Sequence, residues 1–311
     1  MFPKPLYSLA AALLAASQVS GHYIFSQLIV NDELVGGDYD YIRKNSNDYQ
    51  PSFTSEVINS EDLRCNKGAL SSAAKTMDVK AGDKIGAKLW FNEFIEHPGP
   101  GMVYMSKAPS DVASYMGDGD WFKVWESGPE NGPANVDESW GTWQKDRMEF
   151  TIPKDIPDGE YLVRFEHVAI HENHVGKSQF YMECAQLSIS GGGSGVPGPV
   201  AQIPGMYTAE DPAFTYSIWG GSDPGYTMPG PAVWVGGGSS ASSSSSSGAS
   251  TESSSGNTTG GEMTSSAPTT SGNTQNTGSW GTASDETTTE TKPECEVQYI
   301  GGGSARRAVR A

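Results

Sequence analysis

Cysteine is scarce. Three residues in 311 are too few for a disulfide-dense scaffold, and none forms the C-x-x-C pair of a zinc site. Positive charge is scarce too. Against 37 acidic residues stand 20 basic ones, a net charge of −17, which argues against nucleic acid and anionic membranes as partners. Beyond Leu9–Ala16, itself too short to cross a bilayer, no long apolar run exists. No long window sustains a 3.6-residue period, which excludes a helical bundle. Histidine is rare, at five residues.

The two ends are distinct in composition. Lys4, the apolar run Leu9–Ala16 and the small residues Val19-Ser20-Gly21 read as a secretory signal over residues 1–21, removed to give a secreted extracellular protein. Residues 236–292 are rich in Ser, Thr and Gly, cannot bury enough apolar surface to fold, and read as a glycosylated low-complexity linker. Asn257-Thr258-Thr259 is an N-glycosylation sequon. Residues 293–311 are a short tail, too short for a binding module.

Residues 22–235 form the folded part. Short runs rich in aliphatic and aromatic residues, punctuated by Gly, Pro, Asn and Asp, read as strands: 23–25, 84–90, 147–152, 161–165 and 179–183. They predict an all-β protein, a β-sandwich with long surface loops. Residues 128–143 read as a loop. The proline-rich aromatic stretch 196–234 packs over the sandwich or lines a surface in this reading. Cys65 and Cys184 are the natural pair in an oxidising compartment, leaving Cys295 unpaired or linked externally.

Cleavage after Gly21 makes His22 the first residue, so one residue then offers both an amine and an imidazole. His97 opens the rigid turn His97-Pro98-Gly99-Pro100-Gly101 and reads either as a ligand or as an ordinary turn histidine. Counting by twos from Tyr161 puts Val163, Phe165, His167, Ala169 and His171 on one strand face, and Gln179, Tyr181, Glu183 and Ala185 on one face of the next. A His, a Gln and a Tyr can then converge beside His22 and His97. An amine, two imidazoles and a weak phenolic oxygen, with no thiolate, suit copper better than calcium or magnesium.

Three sequence features together resemble the fungal lytic polysaccharide monooxygenases of auxiliary activity family 9, formerly glycoside hydrolase family 61. They are the start His22-Tyr23-Ile24-Phe25, the run His97-Pro98-Gly99-Pro100 leading to Val103-Tyr104-Met105-Ser106, and Ile170-His171 followed by residues 179–186. The likeness extends through Ile203-Pro204-Gly205 and residues 226–234. It implies an immunoglobulin-like β-sandwich carrying one copper. His22 and His97 would be the brace, Tyr181 the axial ligand, and His171 with Gln179 the pair that handles the oxygen co-substrate. It also implies a Cys65–Cys184 disulfide. The segment between His171 and Gln179 carries one further histidine, His174. The implied activity is reductant-driven oxidative cleavage of β-1,4-glucosidic bonds of cellulose or a related β-glucan at C1, C4 or both, with O2 or H2O2, by a monomer supplied by an external electron donor. Tyr23, Trp219 and Tyr226 are candidates for the substrate face, each with a place in the core as the alternative. The alternative is a copper-binding protein of the same fold that does not oxidise polysaccharide. A hydrolase would need paired carboxylates, and no such pair stands out.

Overall fold

A computed structural model describes residues 21–70 and 73–237. The signal segment up to residue 20, Asn257, Cys295, the linker from residue 238 and the tail 293–311 lie outside the described residues. Eleven strands follow in chain order: β1 Phe25–Val30, β2 Glu33–Val35, β3 Ser52–Phe53, β4 Met77–Lys80, β5 Lys84–Leu89, β6 Gly101–Lys107, β7 Trp121–Ser127, β8 Arg147–Thr151, β9 Gly159–Ala169, β10 Gln179–Ser190 and β11 Val200–Ala201. They form two sheets. The smaller has the order β2-β1-β5-β8, and the larger runs β11-β7-β6-β9-β10-β3 with β4 added parallel to β10. The predicted β-sandwich is the observed fold. Among the described residues no helix is long and apolar enough to cross a membrane.

The inner faces of the sheets close one core. Phe25, Leu28, Ile85, Leu89 and Phe150 from the smaller sheet meet Val103, Met105, Val163, Phe165 and Leu187 from the larger. The larger sheet is also covered on its outside. Met102, Tyr104, Leu162, Phe180, Met182 and Cys184 pack against Leu63, Ile203, Tyr207 and Phe214 from the connecting segments. Strands buried on both faces lose their polar alternation. That is why β6 and β7 carry no two-residue period in the sequence, and why β9 and β10 run well past the stretches that alternation marks. At the other end, β1 begins at Phe25, so Tyr23 and Ile24 precede the strand.

Much of the 196–234 stretch lies over the outer face, where a buried polar tie fastens it, while Trp234 at its end packs on Phe122 of the inner core. Both Nη groups of Arg164 donate to the Glu166 carboxylate, each at 2.6 Å. Tyr207 donates its hydroxyl to Glu166 Oε2 at 2.8 Å, and Tyr104 shares a 2.7 Å bond with Tyr207. A buried ion pair of this kind is held by full hydrogen bonding rather than by charge alone.

Cys65 and Cys184 are bonded, closing a sequence separation of 119 residues between the outer covering and β10. Cross-linking so distant a pair removes much of the unfolded chain's freedom. Replacing both cysteines by alanine is expected to lower unfolding free energy by about 2–5 kcal/mol, measured by urea titration. A midpoint and slope equal to the parent's would show that the bridge contributes nothing.

Candidate metal centre

The site forms at one end of the sandwich, where His22 precedes β1, His97 precedes β6, His171 follows β9 and Tyr181 stands near the start of β10. His97 is brought there by its turn. Ile170 donates its amide to the Pro98 carbonyl at 3.0 Å and Val168 donates to Pro100 at 3.1 Å, so the turn continues the pairing of β6 with β9. Gly99 is required by this approach: at φ +156°, a Cβ would stand 1.9 Å from the Val168 carbonyl oxygen. Thr142 locks the turn from the other side with a 2.9 Å bond to the Gly99 carbonyl.

Three rings then face one another at nearly equal spacing. His22 and His97 are 6.5 Å apart between ring centroids, His22 and Tyr181 6.4 Å, and His97 and Tyr181 6.2 Å. Metal–nitrogen bonds of about 2 Å from each side fit such a gap. The Nε2 of His97 is buried and has no hydrogen-bond partner. A buried nitrogen left this way is costly unless something else binds it. Burial, then the neighbouring His171 and His22, pushes the His97 imidazole down to about 4. Its ring is therefore neutral at physiological pH, the form in which histidine binds metal.

Gly21 lies beside the His97 ring: a Cβ on it would stand 2.8 Å from His97 Cε1 and 3.1 Å from Nε2. Among the described residues, no three His, Cys, Asp or Glu side chains gather as ligands. What gathers instead is two imidazoles and the Tyr181 phenol, to which cleavage after Gly21 would add the His22 amine. This set is nitrogen-rich and fits copper better than zinc thiolate or calcium carboxylate chemistry.

Beside the three rings lies a second group. His171 stacks on His97, with centroids 4.4 Å apart. Gln179 Nε2 donates to Glu172 Oε2 at 2.7 Å and approaches His171 Nε2 at 3.3 Å. The Tyr181 hydroxyl donates to Gln179 Oε1 at 2.9 Å. These bonds fix the amide: its oxygen faces Tyr181, and its two N–H groups face Glu172 and His171. The Nδ1 of His171, on the other side of the ring, is buried without a partner. Burial lowers the His171 pKa and keeps the ring neutral. Burial also raises the Tyr181 phenol, which stays protonated without a cation beside it.

His174, the further histidine of this segment, is exposed and turned to the edge of Trp219, not to His97. His171 itself lies in the turn just past β9, so the two-residue count does not carry to it as a strand position.

The three substrate-face candidates separate. Trp219 is 62% exposed, and its Nε1 donates to the His171 carbonyl at 2.8 Å. A small cluster of Ala134, Trp140, Ile170 and Tyr216 supports the segment that carries it. Tyr226 packs edge-on to Trp140 and Tyr216 and belongs to that cluster's rim rather than to a contact face. Tyr23 corrects the sequence expectation outright. It is 2% exposed, stacks on Tyr181 at 4.1 Å, and shares a 2.6 Å hydrogen bond with His167 Nδ1. A ring enclosed in this way cannot meet a polysaccharide.

Three participants escaped the sequence reading. Glu172 orients Gln179. His167 was placed on the right strand face but without its role of holding Tyr23. Glu93 accepts the Ile24 amide at 3.2 Å, and burial pushes its carboxyl up to about 7. Only Glu172 carried a local signal, its place between His171 and Gln179. Concavities of about 260 Å3 beside Met206 and Met228 and about 290 Å3 beside Lys107 and Tyr161 lie elsewhere, and none of His22, His97, His171 or Tyr181 lines either.

The profile of Auxiliary Activity family 9 (formerly GH61) matches residues 22–226. AA9 family lytic polysaccharide monooxygenase G of Aspergillus tamarii is 48% identical over 236 residues, 75% of this chain and 72% of that protein. AA9 family lytic polysaccharide monooxygenase A of Aspergillus fumigatus is 45% identical over 240 residues, 74% of this chain and 82% of that protein. Among solved structures, a cellulose-active polysaccharide monooxygenase from M. thermophila superposes with a TM-score of 0.60 at 27% identity, covering 70% of this chain and all of that one. The chain therefore belongs to Auxiliary Activity family 9, the copper-dependent lytic polysaccharide monooxygenases.

Proposed function

We propose that the protein, beginning at His22 after cleavage, oxidises β-1,4-glucosidic bonds of cellulose or a closely related β-glucan at C1, C4 or both. The reaction uses an external electron donor and O2 or H2O2. The observation that carries this reading is the unpartnered Nε2 of His97, on a ring grouped at 6.2–6.5 Å with those of His22 and Tyr181. Copper, when bound, supplies the one-electron chemistry that activates an oxygen co-substrate toward a sugar C–H bond.

The amine and ring of His22 and the Nε2 of His97 would hold the ion, with the Tyr181 oxygen as a weak fourth donor. The bonds that Gln179 makes to Glu172 and Tyr181, with its contact to His171, would hold its amide and the His171 ring in place beside the ion. Trp219 offers one face of its indole to solvent while its N–H is tied to His171, so a sugar ring stacked there lies over the site. The signal segment 1–21 directs secretion, residues 236–292 form a glycosylated linker that includes Asn257, and Cys295 lies in the tail beyond it. The enzyme acts as a monomer on the polysaccharide surface.

The test is a product assay. Copper-loaded protein with ascorbate and amorphous cellulose is expected to release oligosaccharides bearing aldonic acids or C4 ketones, identified by mass spectrometry. They should be absent without ascorbate and in His97→Ala. Oxidised products from His97→Ala would remove His97 from the chemistry, and none from the parent would exclude cellulose as substrate. Tyr181→Phe is expected to keep copper but change the Cu(II) EPR parameters, and an unchanged spectrum would take Tyr181 out of the axial place. Trp219→Ala should weaken cellulose binding by about twofold to tenfold, the scale of one lost aromatic contact, and unaltered binding isotherms would contradict the platform.

A further inference from the structure

The chain that carries His22 enters the fold through three consecutive residues, each tied at a different place. Tyr23 is held through its ring and hydroxyl by Tyr181 and His167. Phe25 donates its amide to Glu183 Oε2 at 3.1 Å. Ile24, between them, is clamped on both sides by one loop. Its carbonyl accepts the Trp90 amide at 2.9 Å, and its own amide donates to Glu93 Oε2 at 3.2 Å. Ile24 is buried, so an amide there needs an acceptor within the protein.

β5 ends at Leu89, and the Trp90 amide makes the last backbone bond to this segment. A side chain then does what a continuing strand would have done. To bring it there, the loop turns tightly. Glu93 donates its amide to the Trp90 carbonyl at 3.2 Å, and Phe91 between them sits at φ +51°. An aromatic residue rarely adopts that backbone conformation, and it persists where the surroundings over-determine it. Phe91 is itself largely exposed, with its ring against Trp90 at 5.7 Å, and the turn it makes brings the Glu93 carboxylate back to Ile24.

We propose that Glu93 is a positioning residue for the terminal histidine: by accepting the Ile24 amide it fixes the direction in which the chain start leaves the fold, and so where the His22 amine stands relative to His97. The inference rests on the copper reading of the site. Its elements are an acceptor at one atom, a clamped peptide two residues from the ligand, and a strained turn that delivers the acceptor. Charge is not required, so glutamine should serve in its place.

The experiment uses the full-length secreted protein beginning at His22, with Cu(II) as probe. In Glu93→Ala the copper dissociation constant should rise about tenfold or more, the usual effect of removing an outer partner of a metal site. The Cu(II) EPR spectrum should become heterogeneous, and the Ile24 amide of the copper-free protein should exchange faster with deuterium. Glu93→Gln should stay within about twofold of the parent in affinity and keep the amide protected. Unchanged affinity and spectrum in Glu93→Ala would overturn the proposal, as would Glu93→Gln behaving like Glu93→Ala. If Glu93→Ala does not fold, the parent and Glu93→Gln still decide it: an Ile24 amide exchanging at the free-peptide rate in either shows that the clamp does not exist. A parent protein that fails to bind one copper through nitrogen ligands sinks the copper reading instead, while amide protection still reports on the clamp.

Discussion

The pairing of β9 with β10 is the constraint on which the site depends. The two strands align without interruption from Gln179 opposite Ala169 to Ile189 opposite Gly159. A one-residue slip would exchange the two faces of β10. Tyr181, Glu183 and Ala185 would leave the inner core, and Phe180, Met182 and Cys184 would enter it. The Tyr181 phenol, the carboxylate that holds Phe25 and the cysteine that meets Cys65 would be misplaced together. The register thus fixes the chemistry and the cross-link in a single step. The turn joining the strands sets His171 beside Gln179, and β9's extended pairing with the Pro98–Pro100 segment adds His97.

Desolvation does the rest. His97 and His167 both lie in surroundings that disfavour charge, and burial holds both rings well below the usual histidine range. A neutral ring can be a ligand or a hydrogen-bond acceptor without first losing a proton. Both rings keep an Nε2 without a partner, but the His97 ring lies 6.5 Å from that of His22, whereas His167 uses its Nδ1 to hold Tyr23. Two buried histidines with similar electrostatics therefore serve different ends, and the difference lies in which neighbours each one meets. The same rule separates the aromatic residues. Tyr23 is enclosed and supports Tyr181, while Trp219 is open and tied by its edge.

The parts of this arrangement that could be read from the sequence were those with short-range signatures. His22 was marked by the cleavage pattern before it, His97 by the Pro-Gly turn after it, and Gln179 and Tyr181 by their two-residue spacing. The β-sandwich was visible in strands with one wet face. What could not be read were contacts between residues far apart in the chain. Tyr23 meets His167 across 144 residues and Ile24 meets Glu93 across 69, and neither pairing leaves a local trace. Tyr23 was misjudged for the same reason: an aromatic residue beside a terminal ligand looks available until the ring that covers it is known. β6 and β7 were hidden because a strand buried on both faces has no alternation to show.

The central claim is that the chain start itself completes the metal site. Gly21 lies beside the His97 ring, so its removal should both uncover a ligand and create one. The most direct measurement is Cu(II) affinity, by competition titration with EPR, for two otherwise identical proteins: one beginning at His22 and one retaining Gly21. The account predicts that the first binds one copper with the signature of three nitrogen donors and that the second binds weaker by orders of magnitude and lacks that signature. Equal affinity and equal spectra would show that the amine is not a ligand and would contradict it.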